Sequence, residues 1–158
     1  MMRIGFGNDV HRLEAGRKLI LGGITVSEEI GAIGHSDADA LCHAITDAIL
    51  GALALGDIGS HFPDSDPKWK GADSFVFLKE ALRLADEMEF RISNLDCTID
   101  LERPKLRPHI EPMREKIAEA LGCEVGRISV KAKTGEGLDA VGTGLAIRVE
   151  AVVLLESA

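Results

Sequence analysis

Two apolar-rich stretches open the chain, Met2 to Leu13 and the short Lys18-Leu19-Ile20-Leu21, separated by Glu14-Ala15-Gly16-Arg17. Both read as strands, with glycine where the turn between them needs it and Gly22-Gly23 ending the second. A polar linker then reaches Ser36. From Asp39 to Leu55 the period becomes helical: Leu41, Ala44, Ile45, Ala48, Ile49, Ala52 and Leu55 share one face, while Asp39, His43 and Asp47 follow at i+4 steps on another. The segment Gly56-Asp57-Ile58-Gly59 stops this helix. Phe62-Pro63-Asp64-Ser65-Asp66-Pro67 is a loop, because two prolines bracket it. A second helix is predicted from about Asp73 to Glu89, with Asp73 or Ser74 as its N-cap.

Phe90 to Leu101 alternates apolar residues with Asn94, Asp96, Thr98 and Asp100, the pattern of a strand. Arg103-Pro104-Lys105-Leu106-Arg107-Pro108 is a rigid basic loop, and a third helix covers roughly Ile110 to Leu121, ended by Gly122 where a left-handed residue is favoured. Ile128 to Lys133 is a short strand. Thr134-Gly135-Glu136-Gly137 and Gly142-Thr143-Gly144 make a flexible glycine-rich loop, and Leu145 to Leu155 is an apolar strand expected to be central or buried at an interface. The order strand, strand, helix, helix, strand, helix, strand, strand predicts an α+β fold: a mixed β-sheet with helices packed on one face. Residues 1–158 form a single domain without repeats.

At 158 residues the chain can bury a core without disulfides or a structural metal. A formal charge of -8, from 18 basic and 26 acidic residues, disfavours nucleic acid and also unaided binding of polyphosphates. Phosphate chemistry on such a chain needs metal cations. Cys42, Cys97 and Cys123 are odd in number and scattered, no signal pattern opens the chain, and no apolar run is long enough to span a bilayer. The expectation is a cytoplasmic protein without membrane partners.

On a strand, Asp9 and His11 point to one face, and His43 on the first helix can complete a mixed N/O set suited to tetrahedral zinc with an open fourth position. Asp39 and Asp47, one turn either side of His43, are candidates to orient its second ring nitrogen. A solvated strand end is the alternative for Asp9 and His11. Gly34-His35-Ser36-Asp37-Ala38-Asp39, just ahead of the helix, reads either as a phosphate site or as ordinary helix capping. Lys131-Ala132-Lys133-Thr134-Gly135-Glu136 fits phosphate contacts plus a carboxylate for a hard divalent ion, or a solvated charged loop. His61 and His109 read as surface histidines without partners. Neither a calcium loop nor a dinucleotide fingerprint is present.

Taken in order, Gly7-Asn8-Asp9-Val10-His11, Gly34 to Asp39 with His43 and Thr46-Asp47-Ala48, Leu55 to Gly59 with Phe62 to Asp66, Arg103-Pro104-Lys105-Leu106, and Lys131 to Glu136 resemble the 2-C-methyl-D-erythritol 2,4-cyclodiphosphate synthases of non-mevalonate isoprenoid synthesis. The resemblance covers essentially the whole chain. It implies a phosphorus-oxygen lyase in which the 2-phosphate of 4-diphosphocytidyl-2-C-methyl-D-erythritol 2-phosphate attacks its own β-phosphorus and releases CMP. It implies zinc on Asp9, His11 and His43, magnesium or manganese on Glu136, and a homotrimer with active sites at subunit interfaces. His35 and Thr134 would stabilise the transition state, with Ser36 beside them at the erythritol phosphate. Asp57, Ile58, Gly59, Phe62, Asp64 and Asp66 would contact the sugar, with Asp57 on the diol. Leu101, Pro104, Lys105, Leu106 and Lys133 would hold the cytidine diphosphate.

The chain departs from the family pattern at Lys133, where a threonine is usual, and at Ala140, Thr143 and Leu145, where a phenylalanine, an arginine and a glutamate are frequent. Loss of that arginine implies weak binding of isoprenoid diphosphates along the trimer axis. Two rival functions use the same residues: a zinc-dependent phosphohydrolase, and a non-catalytic nucleotide-binding trimer.

Overall fold

The computed structural model describes residues 1–158. Its strands are β1 (Met2–Ala15), β2 (Leu19–Leu21), β3 (Ile24–Ser27), β4 (Ile30–Ala32), β5 (Phe90–Asp100), β6 (Ile128–Lys133) and β7 (Ala146–Ser157); its helices are α1 (Ala40–Ala52), α2 (Ile58–His61), α3 (Phe75–Glu87), α4 (Ile110–Leu121) and α5 (Asp139–Gly142). The main sheet runs β4-β1-β7-β5-β6. All neighbours are antiparallel except β5 and β6, which pair in parallel across the α4 connection. The expected α+β architecture with a mixed sheet is therefore present, and β7 is central as its apolar run indicated.

Four short elements lie where loops were expected. The linker after Gly23 contains β3 and β4. Gly22 and Gly23 form the two-residue turn of a β2–β3 hairpin, with φ of 57° and 73°, a conformation that suits glycine. β4 then pairs its three residues with the end of β1, Leu13 opposite Ala32. The stop after α1 is itself the helical turn α2. The glycine-rich segment is not loop throughout: it holds α5 around buried Val141, and Gly142 N donates to Leu138 O at 2.7 Å.

The helices cover one face of the sheet, where Ile147, Val149, Ala151, Val153 and Leu155 of β7 meet Leu95, Cys97 and Ile99 of β5 in the core. The opposite face is open and carries exposed apolar residues: Ile4 is 72% exposed, Phe6 56% and Val10 57%. α1 is buried on nearly all sides; only His43, Asp47 and Gly51 of its residues are not.

The helix can lie this deep because Gly5 and Gly7 of β1 face it. A Cβ at Gly5 would sit 1.8 Å from Ala48 O, and one at Gly7 would sit 2.0 Å from Ala44 O. These are backbone atoms, so no side-chain rotation relieves the overlap and the helix itself would have to move. Gly7→Ala is therefore expected to destabilise the protein by about 3 kcal/mol or more in denaturant unfolding, beyond the usual range for overpacking. Gly126→Ala, where a Cβ meets nothing within 4 Å, should change stability by less than about 0.5 kcal/mol.

Candidate metal centre and adjoining pockets

β1 and α1 bring Asp9, His11 and His43 together. Asp9 Oδ2 lies 2.7 Å from His11 Nε2 and 3.0 Å from His43 Nδ1. One donor atom from each residue falls within 4.8 Å of the others. His11 Nδ1 is 2.7 Å from the Ile33 carbonyl, which can only accept, so Nδ1 carries the hydrogen. In the neutral ring, Nε2 then presents a lone pair to the Asp9 carboxylate. Two acceptors this close require a proton or a cation between them, and a metal ion fits this donor set.

The charges on these groups follow the same geometry. Burial alone would raise Asp9, but the hydrogen bonds and charges of His11 and His43 outweigh it and hold the carboxyl below its usual range. Burial would push His11 down, but its bond to Asp9 and the Asp9 charge outweigh it and raise the imidazole above its ordinary value.

Asp39 and Asp47 do not orient His43. Asp39 is fully buried at the N-cap of α1, accepting from Cys42 N at 3.1 Å and from the hairpin amides Gly22 N at 3.0 Å and Gly23 N at 2.8 Å. Asp47 accepts from Ile58 N at 2.7 Å, tying α2 to α1. Burial raises both carboxyls. The partner of His43 Nε2 is Ser74 Oγ at 2.8 Å, at the N-cap of α3, with Ser36 Oγ at 3.0 Å. Sequence spacing could not reveal Ser74, which lies 31 residues away and looked only like a helix cap.

A cavity of about 480 Å3 opens over the three residues and gathers His35, Ser36, Ile58, Gly59, Phe62 and Asp64. Phe77 and Trp69 also line it, and neither was expected from the sequence. Their rings pack against Phe62, with centroids 4.5 Å and 5.1 Å away, Phe77 tilted and Trp69 edge-on, and form its apolar wall. His35 Nε2 lies 3.2 Å from the Asp66 carbonyl, while the Asp66 carboxylate caps the following turn through Lys68 N at 3.0 Å. Asp57 is exposed and caps α2, accepting from Ser60 N at 2.9 Å. Asp57 and Asp66 thus stand beside the cavity without lining it. His61 is not partnerless: its Nε2 lies 2.9 Å from Leu55 O.

A second cavity, of about 790 Å3, is lined by Leu101, Pro104, Lys105, Leu106, Lys133 and Thr134 among others. Glu102, also in its wall, accepts from Gly135 N at 2.9 Å and so ties the basic loop to the glycine-rich segment. Glu136 is exposed, lines neither cavity, and donates its amide to Thr134 Oγ1 at 3.3 Å. The two cavities share no residue. Across the sheet, Asp9 aligns with Val149, Ile99 and then Ala132. Three strand spacings therefore separate the metal ligands from the second cavity, roughly 14 Å at ~4.8 Å per strand.

Residues 2–156 match the model of the YgbB family. The 2-C-methyl-D-erythritol 2,4-cyclodiphosphate synthase of Solibacter usitatus is 59% identical over 98% of this chain and 98% of its own length. The chain belongs to the YgbB family. Among solved structures, the bifunctional IspDF of Campylobacter jejuni superposes with a TM-score of 0.97 at 39% identity, covering 100% of this chain and 43% of that longer protein. A 2C-methyl-D-erythritol-2,4-cyclodiphosphate synthase in its CDP-bound form matches at 0.90 and 44% identity, over 98% of this chain and 100% of that one. The family resemblance read from the motifs is thereby established.

Metal binding at these residues must displace the proton held between Asp9 and His11. Because His11 holds its proton to higher pH than an ordinary histidine, zinc affinity should rise as pH increases through neutrality. Chelator-competition titrations at pH 6, 7 and 8 should show this increase, and His43→Ala should lose most of the binding at every pH.

Proposed function

We infer that the chain is the cyclase of this family. The 2-phosphate of 4-diphosphocytidyl-2-C-methyl-D-erythritol 2-phosphate attacks the β-phosphorus, the bond from that phosphorus to the bridging oxygen breaks, and CMP leaves with the electron pair. The products are 2-C-methyl-D-erythritol 2,4-cyclodiphosphate and CMP. The observation that carries this reading is the convergence of Asp9, His11 and His43, with His35 and Ser36 beside them, in a chain 59% identical to a protein of that name.

Zinc at Asp9, His11 and His43, with magnesium or manganese at Glu136, would supply positive charge to the reacting phosphates of an enzyme whose own net charge is -8. The chain's own groups then align the reactants. His35 and Ser36 lie on the cavity wall beside the three ligands at the erythritol phosphate, to which the Ser36 hydroxyl donates, while Thr134 donates from the second cavity's rim to the phosphoryl oxygens. Ile58, Gly59, Phe62 and Asp64 enclose the sugar, joined by Asp57 on the diol and by Asp66 through its contact with His35. Leu101, Pro104, Lys105, Leu106 and Lys133 hold the cytidine diphosphate in the larger cavity. The work is positioning and electrostatics, with little demand for acid-base chemistry.

The working form in this reading is a homotrimer. Two features support it: the open apolar sheet face with Ile4, Phe6 and Val10, and the separation of the two cavities within one chain, which a neighbouring subunit closes. A single domain over residues 1–158 and a reducing, cytoplasmic setting complete it, the latter supported by three unpaired cysteines, two of them buried. No helix is long and apolar enough to cross a membrane.

Phosphorus NMR of the protein with this substrate, zinc and magnesium tests the reaction. Coupled ring-diphosphate signals with stoichiometric CMP are expected; linear phosphates would indicate a hydrolase, and an unchanged spectrum with metal bound a binding protein. Phe6→Glu, on the open face, should give monomers by sedimentation and lower turnover at least tenfold, while the zinc content of each chain stays unchanged.

A further inference from the structure

We propose that Ser74, with Asp37 behind it, is a positioning residue that selects Nδ1 of His43 as the metal-facing nitrogen and leaves the Ser36 hydroxyl free for a substrate anion. This rests on the metal reading above. Ser74 is completely buried at the N-cap of α3, where a serine side chain ordinarily accepts from a helix amide, yet it makes no capping bond. Its Oγ instead donates to Asp37 Oδ1 and lies 2.8 Å from His43 Nε2.

The direction of each bond follows from what the groups can do. Asp37 gathers three donors: Ser74 Oγ–H, Ser74 N at 3.0 Å and Asp39 N at 3.1 Å. With its only hydrogen directed to Asp37, Ser74 Oγ can only accept from His43, so Nε2 carries the ring hydrogen. In the neutral ring Nδ1 then faces Asp9 as a lone pair, the state a metal requires. The arrangement matches that at His11, where the Ile33 carbonyl fixes the tautomer from the other side.

The same chain of bonds defines Ser36. Its Oγ lies 3.0 Å from His43 Nε2 and accepts from Ala38 N at 3.3 Å; both contacts use lone pairs. The one acceptor left for its hydrogen is Ser74 Oγ, at 3.5 Å, the outer limit of a hydrogen bond. Ser36 also lines the cavity over the metal ligands, so its hydroxyl can turn to a phosphate oxygen without breaking a stronger contact.

The test is zinc competition against a chromophoric chelator on the full chain, comparing wild type, Ser74→Ala, Asp37→Ala, Ser74→Thr and His43→Ala, with histidine ring nitrogen NMR of the zinc-loaded wild type. Ser74→Ala and Asp37→Ala should each weaken zinc binding about 10- to 100-fold, the range seen for outer partners of metal-binding histidines. Ser74→Thr, which keeps the hydroxyl, should stay closer to wild type than Ser74→Ala. The wild-type spectrum, which depends on no variant's folding, should show His43 protonated on Nε2. A ring protonated on Nδ1, or Ser74→Ala and Asp37→Ala both within twofold of wild type, overturns the proposal. If wild type binds zinc no better than His43→Ala, the metal reading itself falls and takes this inference with it.

Discussion

The depth at which α1 lies on β1 decides whether this protein has a metal centre at all. Gly5 and Gly7 let the backbone carbonyls of Ala44 and Ala48 approach the strand where any side chain would collide. His43 immediately precedes Ala44, and Asp9 is the next residue on the same face of β1 after Gly7. The contact that sets helix depth therefore also sets the 3.0 Å between Asp9 and His43. Metal-ligand distances tolerate only a few tenths of an ångström, whereas side chains between a helix and a sheet ordinarily hold them about 10 Å apart. Absence of a side chain at two positions creates the site as much as the presence of its ligands.

Depth alone leaves the helix free to slide along the strand, and Asp39 removes that freedom. Its carboxyl group joins the amides of the β2–β3 turn to the first turn of α1, so three donors hold one buried acceptor group. Asp37, two residues earlier, attaches α3 in the same way through Ser74. The acidic residues next to the metal ligands thus act mainly as clamps between elements. Asp9 alone among these carboxylates faces the cavity over the metal ligands, with two imidazoles beside it.

The long elements were legible because their apolar periods run through many residues: β1, α1, α3, β5, α4 and β7 stand close to where the pattern predicts them. β3, β4, α2 and α5 were not, since three or four residues hold too little of any period and are fixed by pairing or capping instead; β2, equally short, showed only through its unbroken Leu19-Ile20-Leu21 run. Within the site, Asp9 and His11 followed from strand alternation, and His43 from its isolation on an apolar helix. The orientation of His43 was misread because i+4 spacing shows which side chains are neighbours and not which of them are already engaged by other segments. Asp39 and Asp47 are engaged, by Gly22, Gly23 and Ile58, and the true partner comes from α3 through packing that no local pattern records.

The two cavities divide the chemistry along the sheet. The one over β1 and α1 can gather cations through a carboxylate and imidazoles, whereas the one at β5 and β6 is lined by a basic loop and two strand lysines. A substrate with a nucleotide at one end and a phosphate at the other needs both environments, and a single chain keeps them about three strands apart. Glu102 adds a mechanical link at the larger cavity: by holding Gly135 N it joins the loop after β5 to the segment bearing Thr134 and Glu136. The wall of the larger cavity and the segment bearing Thr134 and Glu136 are therefore held as one unit rather than two.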